Sequence, residues 1–416
     1  MSGHHNPRHR ILAIHRYYWP DTPPYASILR AIARHWTDLG HRVDVLSTQP
    51  SYKPEAGIPR QPKVEQVDAT TVRRISMAPD RAGKLQKLIN VVHFPLAVFF
   101  RVLFGRRYDV IMCSTAPPVL LGVATSFAAT LRRSKFIYHC MDIHPEIGAI
   151  SGEFRNRFVF AALRKLDCGT CRRSAAVVVL SEDMKRALTS RDPGTADLVV
   201  VLNNFEMPTF DATEELTPPG NDDGNRRNGR LRIVFTGNLG RFQGLESVIE
   251  ALMDDRLRDI EFVLMGDGAA KEAIRARTAG DDRFAVLPHG TTTEARTLMG
   301  SADLGLVTLT PGVIDYAYPS KTATYLSQGL PLLVAVEKHS ELARTVTDNG
   351  IGFVASPNDV AAMRDQLMQV IARQDELKAM KVRSEEVWAR DFGQAALLKR
   401  WENLLEDVCR DEERVA

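Results

Sequence analysis

The chemistry this chain can do is most suggestive at one lysine beside the start of a short helical pattern. In YPSKTATYLSQGLPLLVAV, residues 318–336, Pro319 can open a helical turn without losing a needed donor, and Ser320 can cap it. The free N–H groups at such a start carry partial positive charge and Lys321 adds a full one, a combination that suits a phosphate. An ordinary capped helix with a solvated lysine fits the same residues. Two glycine pairs follow apolar runs: Gly237 and Gly240 in FTGNLGRFQGLES, and Gly266 and Gly268 in LMGDGAA. Glycine there lets the backbone approach a ligand closely. Arg241, beside the first pair, offers a forked donor to a diphosphate, and a surface arginine in a tight turn is the plainer alternative. Neither segment is the dinucleotide fingerprint, which needs Gly-x-Gly-x-x-Gly and a downstream acid.

A second group of reactive side chains lies in YHCMDIHPEIGAI, where His139, Asp142, His144 and Glu146 follow an apolar run. Their mix could hold a metal, but no second ligand set accompanies them and no Asp-x-Asp pair is evident, so no metal is assigned. Asp142 as a helix-turn cap is the competing reading. Cys168 and Cys171 form a C-x-x-C without a partner pair, which reads as two structural thiols on a helix. Five cysteines without a secretory framework suggest a reduced, cytoplasmic protein. His4, His5 and His9 sit in a polar, basic N-terminal segment that lacks the apolar core of a signal peptide.

These residues need elements to position them, and the chain supplies strand-like and helix-like segments in alternation. ILAI, GHRVDVLS, YDVIMC, KFIYHC, AAVVVLS and LVVVL read as strands with helical stretches between them, the rhythm of a parallel sheet wound on both faces. The pattern stops between Glu206 and Arg230, a polar stretch with Pro and Gly, and restarts with LRIVFTGNLG, IEFVLMGDG, RFAVLPHG, ADLGLVTL, PLLVAV and IGFVAS. The expected organisation is an α/β domain over 1–205, a linker over 206–230, a second such domain over 231–390, and a C-terminal helix over 391–416 that packs back toward the first domain. On that helix Leu397, Trp401, Leu404, Leu405 and Val408 share one side. Ligands of such sheets sit at the carboxyl ends of the strands, where Arg241, the Gly-Asp-Gly turn and the Pro-Ser-Lys step all fall. A net charge of +3 is too small to argue for nucleic acid.

The order GNLG-x-x-QGLES-x-IEA, LMGDG, LPHG, SADLGLVTL and YPSK-x-x-x-YLSQGLPLL resembles the C-terminal half of retaining GT-B glycosyltransferases of family 4. It is most similar to the branch that builds bacterial surface polysaccharides of the colanic-acid and O-antigen type. YYWPDTPPYAS and MDIHPE resemble segments of the N-terminal half, so the likeness spans roughly residues 10–390. It implies two Rossmann-like domains facing a cleft, a nucleotide-sugar donor, transfer with retention, and neither cofactor nor metal. On the donor side it implies Gly237, Asn238, Arg241, Gln243, Gly266, Asp267, Gly268, Gly290, Tyr318, Ser320, Lys321 and Thr324. On the acceptor side it implies Tyr25, Ala26, His139, Asp142 and Glu146, with Asp142, Lys321 and Arg241 as the catalytic set. Tyr25 and Ala26 stand where the family has a Gly-Gly loop and are expected to meet the diphosphate through backbone N–H groups. The chain also departs from the pattern. Counting back from Gly329, the two family glutamates fall on Thr324 and Tyr316, and Gln243 occupies the place of a family lysine. Lys321 can supply the missing charge and Thr324 a weaker hydroxyl contact.

KLQKLINVVHFPLAVFFRVLFGRR, residues 84–107, is either a buried core helix or a helix lying in a membrane interface with its bases toward anionic lipid. The second case fits a peripheral protein on the inner face of the cell membrane, acting on a lipid-linked (polyprenyl diphosphate) or glycan acceptor. The rival readings are a GT-B nucleotide-sugar epimerase, a dinucleotide-dependent oxidoreductase, and a catalytically inactive membrane-bound scaffold. The epimerase needs an acid–base pair around the sugar, the oxidoreductase the proper glycine fingerprint. The scaffold would bind nucleotide without turnover.

Overall fold

The computed structural model describes residues 8–21, 23–51, 58–77, 84–154, 156–206 and 229–410, leaving aside the side chains of residues 84–88 and of Arg241. Most of the expected linker, 207–228, therefore lies outside the described residues. The chain divides into two compact units, Met1–Asn203 with Leu397–Ala416, and Asn204–Ala396.

In the first unit, Val- and Ile-rich runs become fully buried strands because branched side chains pack well on a pleated sheet covered on both faces. β1 (Arg10–Ile14) leads through α1 (Pro24–Asp38) to β2 (Arg42–Thr48). Next comes an antiparallel hairpin, β3 (Val64–Val67) and β4 (Thr70–Ile75), that the apolar pattern does not announce. Its turn is Asp68-Ala69, with φ of 48° and 63°, a geometry usually marked by Asn-Gly or Asp-Gly. α2 (Lys84–Phe104), β5 (Val110–Ser114), α3 (Leu120–Arg132) and β6 (Lys135–His139) continue the winding. α4 (Glu146–Ile150), α5 (Arg157–Arg173), β7 (Ala176–Val179), α6 (Glu182–Arg191) and β8 (Val199–Val201) complete it. The strand order is β3-β4-β2-β1-β5-β6-β7-β8, parallel except for the hairpin.

The second unit repeats the logic with β9 (Leu231–Asn238), α7 (Leu245–Leu252), β10 (Ile260–Asp267), α8 (Lys271–Thr278) and β11 (Phe284–Leu287). α9 (Thr292–Gly300), β12 (Leu304–Thr308), α10 (Lys321–Ser327), β13 (Leu332–Ala335), α11 (Glu341–Asp348) and β14 (Gly352–Ala355) follow. α12 (Val360–Ala372) and α13 (Leu377–Val387) close the unit. All six strands are parallel, in the order β11-β10-β9-β12-β13-β14. Phe235, Phe262, Leu264 and Leu306 lie in its fully buried core.

The last helix, α14 (Gln394–Arg410), buries Leu397, Trp401, Leu404, Leu405 and Val408, and from Leu397 onward it belongs to the first unit. Trp401 meets Trp36 of α1 edge to face, with ring centroids 6.0 Å apart. In both sheets the winding reverses beside the first strand, at β1/β5 and at β9/β12. Loops part at such a reversal and leave a crevice at the carboxyl ends of the strands.

Candidate functional site

The crevice of the second unit is opened by an incomplete strand pair. β9 and β12 are in register only at Ile233–Leu304 and Val234–Gly305. Beyond that point the Thr236 N–H donates to the Tyr325 hydroxyl, at 2.9 Å, rather than to a β12 carbonyl. Tyr325 is fully buried, and Gly305 makes room for it, since a Cβ there would lie 2.5 Å from the ring. α10 is thereby pinned to the end of β9, and its first residue, Lys321, reaches into the gap.

Lys321 Nζ donates to Gln243 Oε1 at 3.3 Å and sits 4.4 Å from the centroid of Phe235. Its Cε lies in ordinary contact distance, 3.4 Å, of where a Cβ on Gly237 would fall, and the φ of 114° at Gly237 is what favours glycine there. Desolvation lowers the ammonium from 10.5 to about 8. No carboxylate among the described residues lies within ion-pair distance of it. An enclosed cation with one neutral acceptor and one aromatic face is still short of an anion.

The remaining donor-side residues divide into those that frame this point and those that do structural work. Asn238 is exposed at the end of β9, and its amide lies against the positions where Cβ atoms on Gly240 and Gly268 would fall. Asp267 is exposed too. Its Oδ1 accepts from the Gly268 N–H at 3.0 Å, which holds the carboxyl below its usual range, with help from Lys271 at 3.5 Å. Gly266 instead closes on protein, because a Cβ there would fall 1.8 Å from the Gly237 carbonyl oxygen. Gly290 likewise gives space to Met265 and Glu294, and Tyr318 is buried with its ring stacked on Phe392. The Arg241 side chain lies outside the described residues.

The capped helix start is corrected by the structure. Ser320 occupies the N-cap with helical dihedrals and makes no capping bond, and Pro319 precedes it, its carbonyl accepting from the Thr322 N–H at 3.1 Å. A capping hydroxyl needs extended backbone to reach over the first turn, and Ser320 lacks it. Ser320 instead receives the Thr324 hydroxyl on its own carbonyl, at 3.5 Å. α10 has only seven residues, so positive charge at its start rests on Lys321 more than on aligned peptide dipoles.

Several polar groups nearby were not legible in the sequence. Thr308, Thr310 and Thr322 have buried hydroxyls without a hydrogen-bond partner. Glu337, just after β13, accepts the Gly312 N–H on Oε1 at 2.6 Å while its buried Oε2 has no partner. The one available signal was a glutamate directly following the apolar run PLLVAV.

The first unit has its own crevice residues. His15, just after β1, shares a hydrogen bond with Ser114 at the end of β5, across the winding reversal. Tyr25 Oη is 2.8 Å from His139 Nδ1, and its ring meets His15 edge on at 4.6 Å. His139 in turn lies 4.9 Å from Trp401, with its buried Nε2 unpartnered. Desolvation pushes both His15 and His139 down to about 3, so both imidazoles are neutral at pH 7. Tyr25 and Ala26 were expected in a loop offering N–H groups. They belong to the first turn of α1, and the Ala26 N–H is already donated to the Pro23 carbonyl at 2.9 Å. The Tyr25 phenol, meanwhile, is engaged with His139.

Asp142 follows β6 in a partly open position, and desolvation raises its carboxyl to about 6. Glu146 is committed elsewhere. Its carboxylate takes Arg191 at 3.1 Å and Arg164 at 3.5 Å, and Arg191 also holds the buried Asp167 at 2.5 Å. Glu146 thus anchors α4 rather than facing a ligand. Cys168 and Cys171 lie on α5 as free thiols, with Cys171 buried and its thiol pushed well up by desolvation, the behaviour of inert structural cysteines. Among the described residues, no three His, Cys, Asp or Glu side chains gather as a metal-ligand set.

Comparison with known proteins finds a separate family match in each half of the chain. Residues 25–204 match the family described as glycosyl transferase 4-like domain, and residues 230–373 match glycosyl transferases group 1. The chain is 27% identical over 263 residues to a probable glycosyltransferase, WbjE, of Pseudomonas aeruginosa, covering 62% of this chain and 65% of that relative's length. It is 24% identical over 389 residues to a putative colanic acid biosynthesis glycosyl transferase, WcaI, of Escherichia coli K12, covering 89% of this chain and 92% of the relative. Among solved structures, Anabaena HepE in complex with UDP and glucose superposes with a TM-score of 0.66 at 16% identity, over 96% of this chain and 100% of that one. Sucrose-phosphate synthase of Thermosynechococcus elongatus gives 0.70 at 14% identity, over 96% and 99%. The fold class is that of GT-B proteins, two parallel-sheet α/β domains. Each of the two matched segments, residues 25–204 and residues 230–373, is thus similar to a glycosyltransferase domain, and together they take in most of the chain.

Proposed function

We propose that this chain transfers a sugar from a nucleotide-sugar donor to a lipid-linked or glycan acceptor, with retained configuration and without a metal, in surface-polysaccharide synthesis at the inner face of the cell membrane. The observation that carries the donor side is Lys321, an enclosed cation at the β9/β12 reversal with no carboxylate partner among the described residues. Departure of a nucleoside diphosphate concentrates negative charge on its oxygens, and a preorganised positive group opposite that charge is the largest single contribution a protein can make. Lys321 does this from α10, with Gln243 orienting its ammonium and the Gly237 and Gly268 turns keeping the backbone out of the way. Asp142 is assigned to the acceptor side, where a carboxyl titrating near 6 can hold or take a hydroxyl proton at neutral pH. UDP bound to HepE and the colanic-acid naming of WcaI support the donor class and the pathway.

The test is a thermal-shift panel of nucleoside diphosphates and their sugars on the wild type and Lys321→Ala. Stabilisation by one nucleotide that is lost in the variant is the expected result and identifies the base. A shift that survives moves the diphosphate contact elsewhere, Arg241 first. No shift with any nucleotide favours the inactive scaffold, for which the absent family glutamates already speak.

A further inference from the structure

The outer face of α2 and α3 carries what the two crevices leave unexplained. α2 is divided lengthwise: Phe94, Val98 and Val102 are buried, while Val92, Leu96, Phe100 and Phe104 are exposed at successive i+4 positions. Such spacing puts them in one row. α3 packs beside α2 and adds Phe127 and Leu131, again four apart and exposed. Phe104 is 78% exposed and Leu131 62%, values a folded monomer seldom tolerates in one contiguous row. The helices' carboxyl ends adjoin, since Arg132 donates to the Gly105 carbonyl at 3.2 Å. Phe100 and Phe104 stack with centroids 6.1 Å apart, and Arg173 of α5 lies 4.1 Å over the Phe127 ring.

Charge around the row is mainly basic, the exposed Asp109 excepted, whose carboxylate accepts the Arg10 N–H at 2.7 Å. α2 and α3 contain no acid, and α5 contains only Asp167, which is buried against Arg191. Arg101, Arg106, Arg107 and Arg133 are exposed at the same end as Phe104 and Leu131. The whole chain carries only +3, so this concentration is local. α2 is not a spanning helix, since no helix among the described residues is long and apolar enough to cross a membrane. An apolar row rimmed by bases and empty of acids complements a surface with an apolar interior and an anionic rim.

We infer that the outer face of α2 and α3 docks on an anionic lipid bilayer, with Val92, Leu96, Phe100, Phe104, Phe127 and Leu131 entering the acyl boundary and the flanking arginines meeting lipid phosphates. The inference gives a physical seat to the membrane location proposed above and rests on that reading only for its purpose, access to a lipid-linked acceptor. A second copy of the chain would cover the apolar row but would have to face these like charges across the interface.

The experiment is sedimentation of the purified full chain with phosphatidylcholine vesicles, with and without phosphatidylglycerol, at low and high salt. The wild type should sediment with the anionic vesicles and be released by salt. Phe100→Ser/Phe104→Ser should lower partitioning by about tenfold or more. Arg106→Gln/Arg107→Gln should remove most of the preference for phosphatidylglycerol. Nucleotide thermal shifts run on the same preparations separate outcomes: variants that keep the shift are folded, and their loss of lipid is local. Wild type that stays in the supernatant, variants that sediment unchanged, or a wild-type dimer dissolved by the Phe100/Phe104 change would each overturn the docking surface. Vesicle binding without any nucleotide response would instead overturn the donor reading and leave the surface standing.

Discussion

Two groups, one in each unit, hold protons at unusual pH, and each makes a prediction with a sign. Lys321 has its ammonium lowered from 10.5 to about 8 by desolvation. Charging it costs stability, a cost fully present below about pH 8 that disappears as pH rises toward 10.5. Removing the charge should relieve it, so ligand-free Lys321→Met is expected to melt roughly 2–4 °C above the wild type at pH 7 for each kcal/mol relieved. Nucleotide stabilisation of the wild type should weaken as pH passes 8, and this dependence should be flat in the variant. Asp142 has the reverse case of an acid raised from 3.8 to about 6. The folded state then holds more protons than the unfolded between those values, so stability falls as pH rises through that window. Asp142→Asn should be neutral or stabilising at pH 7, keep nucleotide binding, and lose about 10²–10⁴-fold in turnover. Equal turnover in wild type and variant would remove Asp142 from the chemistry. Lys321 was legible as a cation after a Pro-Ser step. Its partners were not, because Gln243 is 78 positions away.

At the scale of elements, the strands and most helices follow from local composition: β-branched runs of four to eight residues, and glycines at their ends. The β3–β4 hairpin escapes such reading because Asp68-Ala69 adopts left-handed dihedrals without a glycine to mark them. Its Asp68 is held by Arg30 of α1, so tertiary contact supports what the local sequence does not favour. Gly266 shows the opposite confusion. Its placement after a strand suggested room for a ligand, whereas the β9–β10 register sets it directly beside Gly237. Gly266→Ala should therefore destabilise the second unit by at least about 2 kcal/mol, as overpacking against backbone does. Gly240→Ala, whose methyl meets only the Asn238 side chain, is the mild control. Melting of both variants checks this, and similar midpoints would show that the strand pair can give way.

For the molecule as a whole, the decisive fact is that α14 belongs to the unit built from the other end of the chain. Trp401 packs on Trp36 and approaches His139, so the first unit's crevice is backed by a residue some 260 positions downstream of it. Trp401→Ala is expected to cost the first unit about 3–5 kcal/mol. Hydrogen exchange should show amides of β1 and α1 losing protection while those of β9 and β10 keep it. Uniform loss across both units would mean that α14 stabilises the chain in some other way.

The sequence by itself determined the alternation of strands and helices, the amphipathic last helix, and the placement of reactive residues at strand ends. These depend on residue type within a few positions, where backbone preference and side-chain periodicity act directly. Only the tertiary structure decided which of those residues are free to act. Strand order placed Lys321 beside Gln243 and Phe235, gave Glu146 to Arg191, turned Tyr25 toward His139, and left Glu337 half-satisfied. Whether a polar side chain is a ligand or a strut depends on what fills its remaining bonds, and those partners come from segments whose separation in sequence carries no trace of their distance in space.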